Sequence, residues 1–369
     1  MSDFINAQRL VSRDRRRDPV LDPLVAVART HGVDPLADRL DELKHFVVED
    51  LSAIEYALRG IDAEVRDARD NEGMLARKAA RHLLDSPGKR IRPLCVLLAA
   101  RLGGRSLDPV IRNLAIACEL VHAATLLHDD VLDQGEERRG AATARVVFGN
   151  SASILGGDHL LVEALKMVES CNEPPLLRSL LGVISEMVHA EAIQLEQRQR
   201  FTPQREVYLK VILGKTAALF RWGLTAGGFA AGLPEDTLGH LSGVGEALGM
   251  AFQLVDDVID LEGLIGGTGK TPLADLRDGK LTWPVIVAVE KDAELARDLE
   301  DYVRVARADD DVRAMALAKR IGATGALAAT RAYAEHQGER AAAELARVPE
   351  GAARDAIALV VRDAIRRSR

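Results

Sequence analysis

The sequence predicts an all-α fold, and three features carry that expectation. Apolar residues recur at spacings of three and four through most of the chain, and Ala, Leu, Glu and Arg dominate while β-branched clusters stay short. No run of alternating polarity competes for a strand. The 369 residues are 47% hydrophobic, 28% charged and 4% aromatic, enough apolar material for a large buried core. Without a fixed-period repeat or a low-complexity linker, one large helical domain is the economical reading.

Residues 1–44 combine Pro19, Pro23 and Pro35 with the basic stretch Arg13 to Arg17 and hold no sustained period, so they read as a peripheral or disordered arm before a domain at 45–369. From Phe46 onward Val47, Leu51, Ile54, Leu58, Ile61 and Val65 mark one face of an amphipathic helix. The period returns over 72–84, 92–102, 109–133, 144–169, 176–200 and 204–230, then over 236–262, 282–305, 311–319, 324–346 and 350–366. Breaks fall at Gly103-Gly104, Pro174-Pro175, Thr202-Pro203 and Leu233-Pro234, with a longer Gly-rich interruption between Gly263 and Gly279. About ten helices result, packed as a bundle.

The net charge of −7 argues against a protein that binds nucleic acid by neutralising many phosphates, so an anionic ligand must be held locally. Cys95, Cys118 and Cys171 have no paired or metal-binding spacing, which fits a reducing cytoplasm. The opening MSDFINAQRLVSRDRRRD lacks the apolar core of a signal peptide, and no uncharged apolar stretch approaches the ~18 residues that span a bilayer. The expectation is a protein neither exported nor integral to a membrane.

Function is concentrated in two carboxylate sets. Asp129, Asp130 and Asp133 close an almost wholly apolar helix; Asp129 and Asp133 share a face one turn apart, with Asp130 about 100° round the helix. Asp256, Asp257 and Asp260 repeat the spacing 127 residues later at the end of another apolar helix. Converging carboxylates need a cation, and an oxygen-only donor set favours Mg2+ shared with phosphate oxygens. A single such set is ordinarily a solvated helix end, whereas two with apolar flanks point to a bound diphosphate.

A diphosphate in an acidic protein calls for local cations. Lys89, Arg90 and Arg92 stand at a turn into a helix, Arg138 and Arg139 follow the first carboxylates, Lys215-Thr216 precedes an apolar run, and Lys270 and Lys280 flank the loop after the second set. Gly269-Lys270-Thr271 is not a phosphate-binding loop: the first glycine of that motif would fall on Leu264, and a helix precedes it. His128 has no second histidine at helical spacing, so a hydrogen bond at a helix end suits it better than a metal. His122, two turns before Asp129, is a core histidine or a substrate contact.

Taken together, GKRIRP, LLHDDVLDQGEERRG, the Gly157-Asp158 pair, GKTAALF, FQLVDDVID and DLRDGKLTWP, in this order, resemble the all-trans polyprenyl diphosphate synthase family from Phe46 to the C-terminus. The resemblance implies a single antiparallel bundle around a deep cavity, the isoprenoid synthase type I fold, and a homodimer. It implies that Asp129, Asp130, Asp133, Asp256, Asp257 and Asp260 bind Mg2+, roughly three ions per site with diphosphate bound. Arg138, Lys215, Thr216, Gln253 and Lys270 would contact the allylic diphosphate, and Lys89, Arg92, His122 and Arg139 would hold isopentenyl diphosphate. Pro87, Ala190 and Ala274 depart from glycines usual in that pattern, and the arm has no counterpart in it.

The expected reaction is ionisation of the allylic C–O bond, attack on the cation by the double bond of isopentenyl diphosphate, and loss of a proton to the released diphosphate. Each helical turn rises ~5.4 Å, close to one isoprene unit, so residues upstream of Asp129 are successive floors for the growing chain. Ala124 and Thr125, then Val121, then Cys118 and Ala117 are small or medium. With no aromatic plug there, the resemblance suggests a product beyond C20 rather than a farnesyl- or geranylgeranyl-length chain. A class I terpene cyclase would keep one Asp-rich set and an NSE-type second motif, a noncatalytic partner subunit would lack some carboxylates, and a purely structural helical protein leaves the paired sets unexplained.

Overall fold

A computed structural model describes residues 48–61, 74–86, 88–138, 140–198, 201–265, 273, 276, 280–305 and 311–367. The arm at 1–44, Arg139 and Lys270 lie outside the described residues. Helix α1 covers 48–60, followed by α2 (Leu75–Leu84), α3 (Ile91–Leu102) and α4 (Pro109–Leu132). A two-residue hairpin, β1 (Glu137–Arg138) with β2 (Ala141–Ala142), leads to α5 (Ala144–Phe148), α6 (Asn150–Glu169) and α7 (Pro174–Gln197). Then come α8 (Arg205–Ile212), a π-helical turn (Leu213–Ala217), α9 (Ala218–Ala230), α10 (Glu235–Ile265), α11 (Trp283–Lys291), α12 (Ala293–Val305), α13 (Asp311–Ala323), α14 (Ala326–Leu345) and α15 (Ala352–Arg366).

Local chemistry sets the boundaries. Asp108 caps α4 by accepting hydrogen bonds from the Val110 and Ile111 amides, with Pro109 in the first turn. Pro174 and Pro175 open α7 in the same way. Two stretches that the apolar period reads as single helices are each divided. Gly149, at φ +87°, separates α5 from α6, and Asp292, whose Oδ1 accepts from the Glu294 and Leu295 amides, starts α12 after α11. The hairpin is too short for alternation to reveal.

Helix α4 is the axis of the bundle. It packs against α6, α9 and α3, with Leu114, Ala117, Cys118, Leu120 and Leu127 fully buried. Its length and hydropathy alone would suit a membrane span, but 67% of its apolar window is buried inside the bundle and Glu119 lies at its middle, so it is a core helix. Helix α10 lies across α9 and packs on α14. Close approach depends on glycine at Gly227, where a Cβ would collide with the Val96 carbonyl of α3. Asp129 and Asp133, at the end of α4, and Asp256, Asp257 and Asp260, inside α10, line a common cavity.

Candidate active site

The cavity measures about 880 Å³. One wall is a stripe of α4: Glu119, His122, Thr125, Leu126, Asp129 and Asp133, spaced as a single helical face requires. The opposite wall is α10, with Phe252, Gln253, Asp256, Asp257 and Asp260. Between them stand Lys89 and Arg92 at the start of α3, Arg138 on β1, Lys215 and Thr216 on the π-helical turn, Lys280, and Arg367 just past α15. The π-helical turn inserts an extra residue into the α8–α9 run and so aims Lys215 inward, a device that recurs at functional sites.

Each carboxylate meets a protein cation or donor. Asp129 lies 3.3 Å from Lys215, whose ammonium also donates to Glu191 (2.5 Å) and Gln194 (3.2 Å) on α7. Asp133 pairs with Lys280 at 2.5 Å and with Arg198, and Asp256 pairs with Arg367 at 2.8 Å. Burial is the largest influence on Asp129 and raises its pKa, with Glu191 and Asp133 adding to the rise and Lys215 offsetting only part. Burial likewise raises Asp256 against the pull of Arg367. At Asp133 burial is outweighed by Lys280, Lys215 and Arg198, which hold its carboxyl below the usual range.

The six aspartates divide into two kinds by their surroundings. Asp130 turns out of the cavity wall, is buried, and accepts a forked pair of hydrogen bonds from Arg138 at 2.8 and 3.1 Å. Asp257 reaches the wall, yet accepts hydrogen bonds from the Tyr208 hydroxyl (2.6 Å), the Trp283 amide (3.0 Å) and Gln253 (3.0 Å), while Thr216 donates to Gln253 (3.0 Å). Asp129, Asp133, Asp256 and Asp260 line the cavity, and the partners of the first three are the cations Lys215, Lys280, Arg198 and Arg367. Of the residues expected to floor the growing chain, Thr125 lines the cavity, whereas Val121 and Ala124 are 1% exposed within the packed core. Gly157 of α6 approaches the Ala124 carbonyl and His128, which turns that flank of α4 away from the cavity.

Lys89, Arg92 and His122 all line the cavity. Arg92 is half-buried, its guanidinium 4.6 Å from the centroid of the Phe220 ring, and its buried Nε has no hydrogen-bond partner. Spacing alone did not single out Glu191, Gln194, Arg198, Tyr208 or Arg367. Glu191 and Gln194 form an i, i+3 polar pair on α7, a signal available in the sequence, whereas Arg198, Tyr208 and Arg367 arrive from distant elements. Glu191 Oε1 is buried without a hydrogen-bond partner.

The donor set fits a hard divalent cation that shares its coordination with a ligand. Among the described residues no three His, Cys, Asp or Glu side chains converge closely enough to hold an ion by themselves. Oxygen donors on two facing walls, with partly buried Asp129 and Asp256 raised in pKa, suit ions bridged by phosphate oxygens instead.

Fold and site define a helical enzyme that faces two Asp-rich walls across one cavity. The chain belongs to the polyprenyl synthetase family, the all-trans polyprenyl diphosphate synthases, which are prenyltransferases: the family model matches residues 74–319. It is 32% identical over 325 residues to the octaprenyl diphosphate synthase of Escherichia coli, covering 87% of this chain and 98% of that one. It is 36% identical over 251 residues to heptaprenyl diphosphate synthase component 2 of Geobacillus stearothermophilus, covering 68% and 76%. A decaprenyl diphosphate synthase structure from Rhodobacter capsulatus superposes with a TM-score of 0.79 at 33% identity, covering 89% of this chain and 99% of that one. A polyprenyl synthase from Caulobacter crescentus, complexed with calcium and isoprenyl diphosphate, does so with a TM-score of 0.79 at 30% identity, covering 96% and 100%.

Proposed function

We propose that this enzyme condenses isopentenyl diphosphate head-to-tail with an allylic diphosphate in the presence of Mg2+, giving a trans-polyprenyl diphosphate longer than C20. The observation that carries the reading is the facing of Asp129 and Asp133 by Asp256 and Asp260 across a cavity flanked by Lys89, Arg92, Arg138, Lys215, Lys280 and Arg367. Those four aspartates would hold Mg2+, which supplies positive charge to the departing diphosphate. Asp130 and Asp257 fix the walls: the first orients Arg138, and the second orients Gln253 and Thr216. Lys215, Thr216, Gln253 and Arg138, with Lys270 from outside the described residues, receive the allylic diphosphate. Lys89, Arg92 and His122, with Arg139, receive isopentenyl diphosphate.

Charge develops on the leaving diphosphate as the allylic bond breaks, and fixed cations already aimed there stabilise it without reorganising. Leu126, Val211, Ile212 and Ile286 give the cavity apolar wall that keeps water from the carbocation. The new C–C bond forms from the isopentenyl double bond, and the proton leaves to the released diphosphate. No bulky side chain stands at Thr125 or Leu126, and the octaprenyl and decaprenyl names of the relatives support a long product over a C15 or C20 one.

Exposed Val147, Ile154, Leu155, Val162, Leu181 and Val188 on α5, α6 and α7 support a homodimer through that apolar face. Three buried free cysteines, with the Cys95 thiol pushed up to about 12 by burial, support a reducing cytoplasm. The test is incubation of the purified protein with Mg2+, labelled isopentenyl diphosphate and, separately, C5, C10, C15 and C20 allylic diphosphates. A ladder ending beyond C20 bears the reading out. Diphosphate release without isopentenyl incorporation replaces it with the cyclase reading.

A further inference from the structure

We propose that Arg90 is a positioning residue for the isopentenyl diphosphate site: by clamping its own turn between α1 and α4 it presents Lys89 and Arg92 to that substrate. The inference rests on the assignment of Lys89, Arg92 and His122 made above. Arg90 adopts φ 49° and ψ 34°, a left-handed conformation that a residue with a Cβ keeps only where its surroundings over-determine it. Those surroundings are two carboxylates and a carbonyl. Its Nε donates to Glu55 Oε2 at 2.7 Å, its Nη1 to Glu119 Oε1 at 2.6 Å, and its Nη2 to Glu55 Oε1 and the Leu84 carbonyl at 3.3 and 3.4 Å. One guanidinium thus joins α1, the end of α2 and α4 around the turn that carries Lys89 and Arg92.

The charge of Arg90 is committed to these partners. Its side chain is 11% exposed, and although burial favours its neutral form, Glu55 and Glu119 together raise its pKa. Arg92, two residues on, has the opposite character: burial lowers its pKa, and its Nε lacks a hydrogen-bond partner. The same Glu119 that Arg90 neutralises also acts on Arg92, and it precedes His122 by one turn of α4. Without Arg90, Glu119 would compete with a diphosphate for Arg92. The platform for the clamp is fixed as well, because Arg81 donates to the Leu58 and Ile61 carbonyls at the end of α1 and Arg101 pairs with Asp50 at 2.7 Å near its start.

Glu55 is the place to test this, since it does not line the cavity. The Michaelis constants for isopentenyl and allylic diphosphates are measured separately, and isopentenyl diphosphate binding to the metal-free protein is measured by calorimetry. Glu55→Gln halves the clamp, and the isopentenyl KM and calorimetric Kd rise about fivefold, as losing a partly exposed ion pair predicts. The allylic KM and kcat at saturation stay within about twofold, a split that general loosening of the fold does not give. Arg90→Lys keeps the charge but loses the fork, so it shows the same split and carries the test if Glu55→Gln melts early. Unchanged isopentenyl constants in both variants, or equal rises for both substrates, overturn the proposal. So does a defect in Arg90→Lys beside a silent Glu55→Gln, which would make Arg90 a direct ligand. Wild-type protein that neither binds nor incorporates isopentenyl diphosphate overturns the underlying site assignment, a failure distinct from silent variants.

Discussion

Replacing Asp129 by Asn separates what this carboxylate does for turnover from what it costs the fold. The side chain is 17% exposed and stands 3.3 Å from the Lys215 ammonium. At an effective dielectric near 20 that attraction is roughly 5 kcal/mol gross, and desolvation of a buried ion removes several kcal/mol of it. Repulsion from Glu191 and Asp133 removes more, and the outcome is a pKa raised in the folded state. The sign follows: a carboxyl with a folded pKa above its unfolded one opposes folding at neutral pH, and the penalty is relieved as pH falls through the folded value. Asn has nearly the same shape and no charge, and Lys215 keeps Glu191 at 2.5 Å and Gln194 at 3.2 Å. Thermal melting of Asp129→Asn in chelator should therefore match or exceed wild type. Turnover at saturating Mg2+ should fall about 10²- to 10³-fold or more, the loss typical of one group that meets developing charge. Activity within tenfold of wild type, or a melting temperature lower by more than about 2 °C, roughly 1–2 kcal/mol for a chain of this size, would refute the reasoning.

Thr125→Phe narrows the cavity one turn from Asp129 and should shorten the product, whereas Ala124→Phe overpacks the core at a cost of about 1–3 kcal/mol; product ladders and melting curves of the pair distinguish the two faces. Gly227→Ala forces α9 away from the Val96 carbonyl and should lower the melting temperature by an overpacking cost of the same order, about 1–3 kcal/mol, so unchanged melting contradicts the close approach. Glu55 is held below its ordinary value of 4.5, burial being outweighed by Arg90 and Arg59, so its contribution to stability is complete above that value and is lost as pH falls through the folded pKa. The melting gap between wild type and Glu55→Gln should accordingly close on acidification below 4.5, and a gap independent of pH would mean that the pair contributes through packing alone.

What the sequence made legible was whatever helix geometry encodes locally. Residues 129 and 133 must share a face, and Asp130, about 100° round the helix, must leave it; the structure shows Asp130 turned to Arg138. The apolar period likewise located α4 and α10 as buried helices, though α10 continues past its carboxylates to Ile265. Choosing Thr125 over Ala124 as cavity wall was not possible from spacing, because both lie about one turn before Asp129. The choice depends on how α4 is rotated in the bundle, and that is set by the approach of Gly157 from α6. Tyr208, Arg198 and Arg367 were illegible for a different reason: each reaches its aspartate across tertiary contacts that leave no periodic trace along the chain.

The partners of the cavity-facing aspartates explain how so much charge is tolerated in a buried site. Lys215 on Asp129, Lys280 and Arg198 on Asp133, and Arg367 on Asp256 neutralise the walls in the free protein, and all but Arg198 also line the cavity. Under the proposed function, a divalent cation at an aspartate takes over neutralisation of that carboxylate, and the displaced ammonium or guanidinium then faces the phosphate oxygens that arrive with the cation. Binding is thereby an exchange of ionic partners in which few charges lose water for the first time. The desolvation that makes buried ions costly was met largely during folding, with Asp129 and Asp256 retaining its trace as raised pKa values. Such a site ranks its ligands by charge balance: an anion without its cations leaves the carboxylates competing for the same lysines and arginines, and a cation without its anion leaves those lysines and arginines unpaired. Metal and diphosphate should therefore bind with positive cooperativity, each strengthening the other by the same factor.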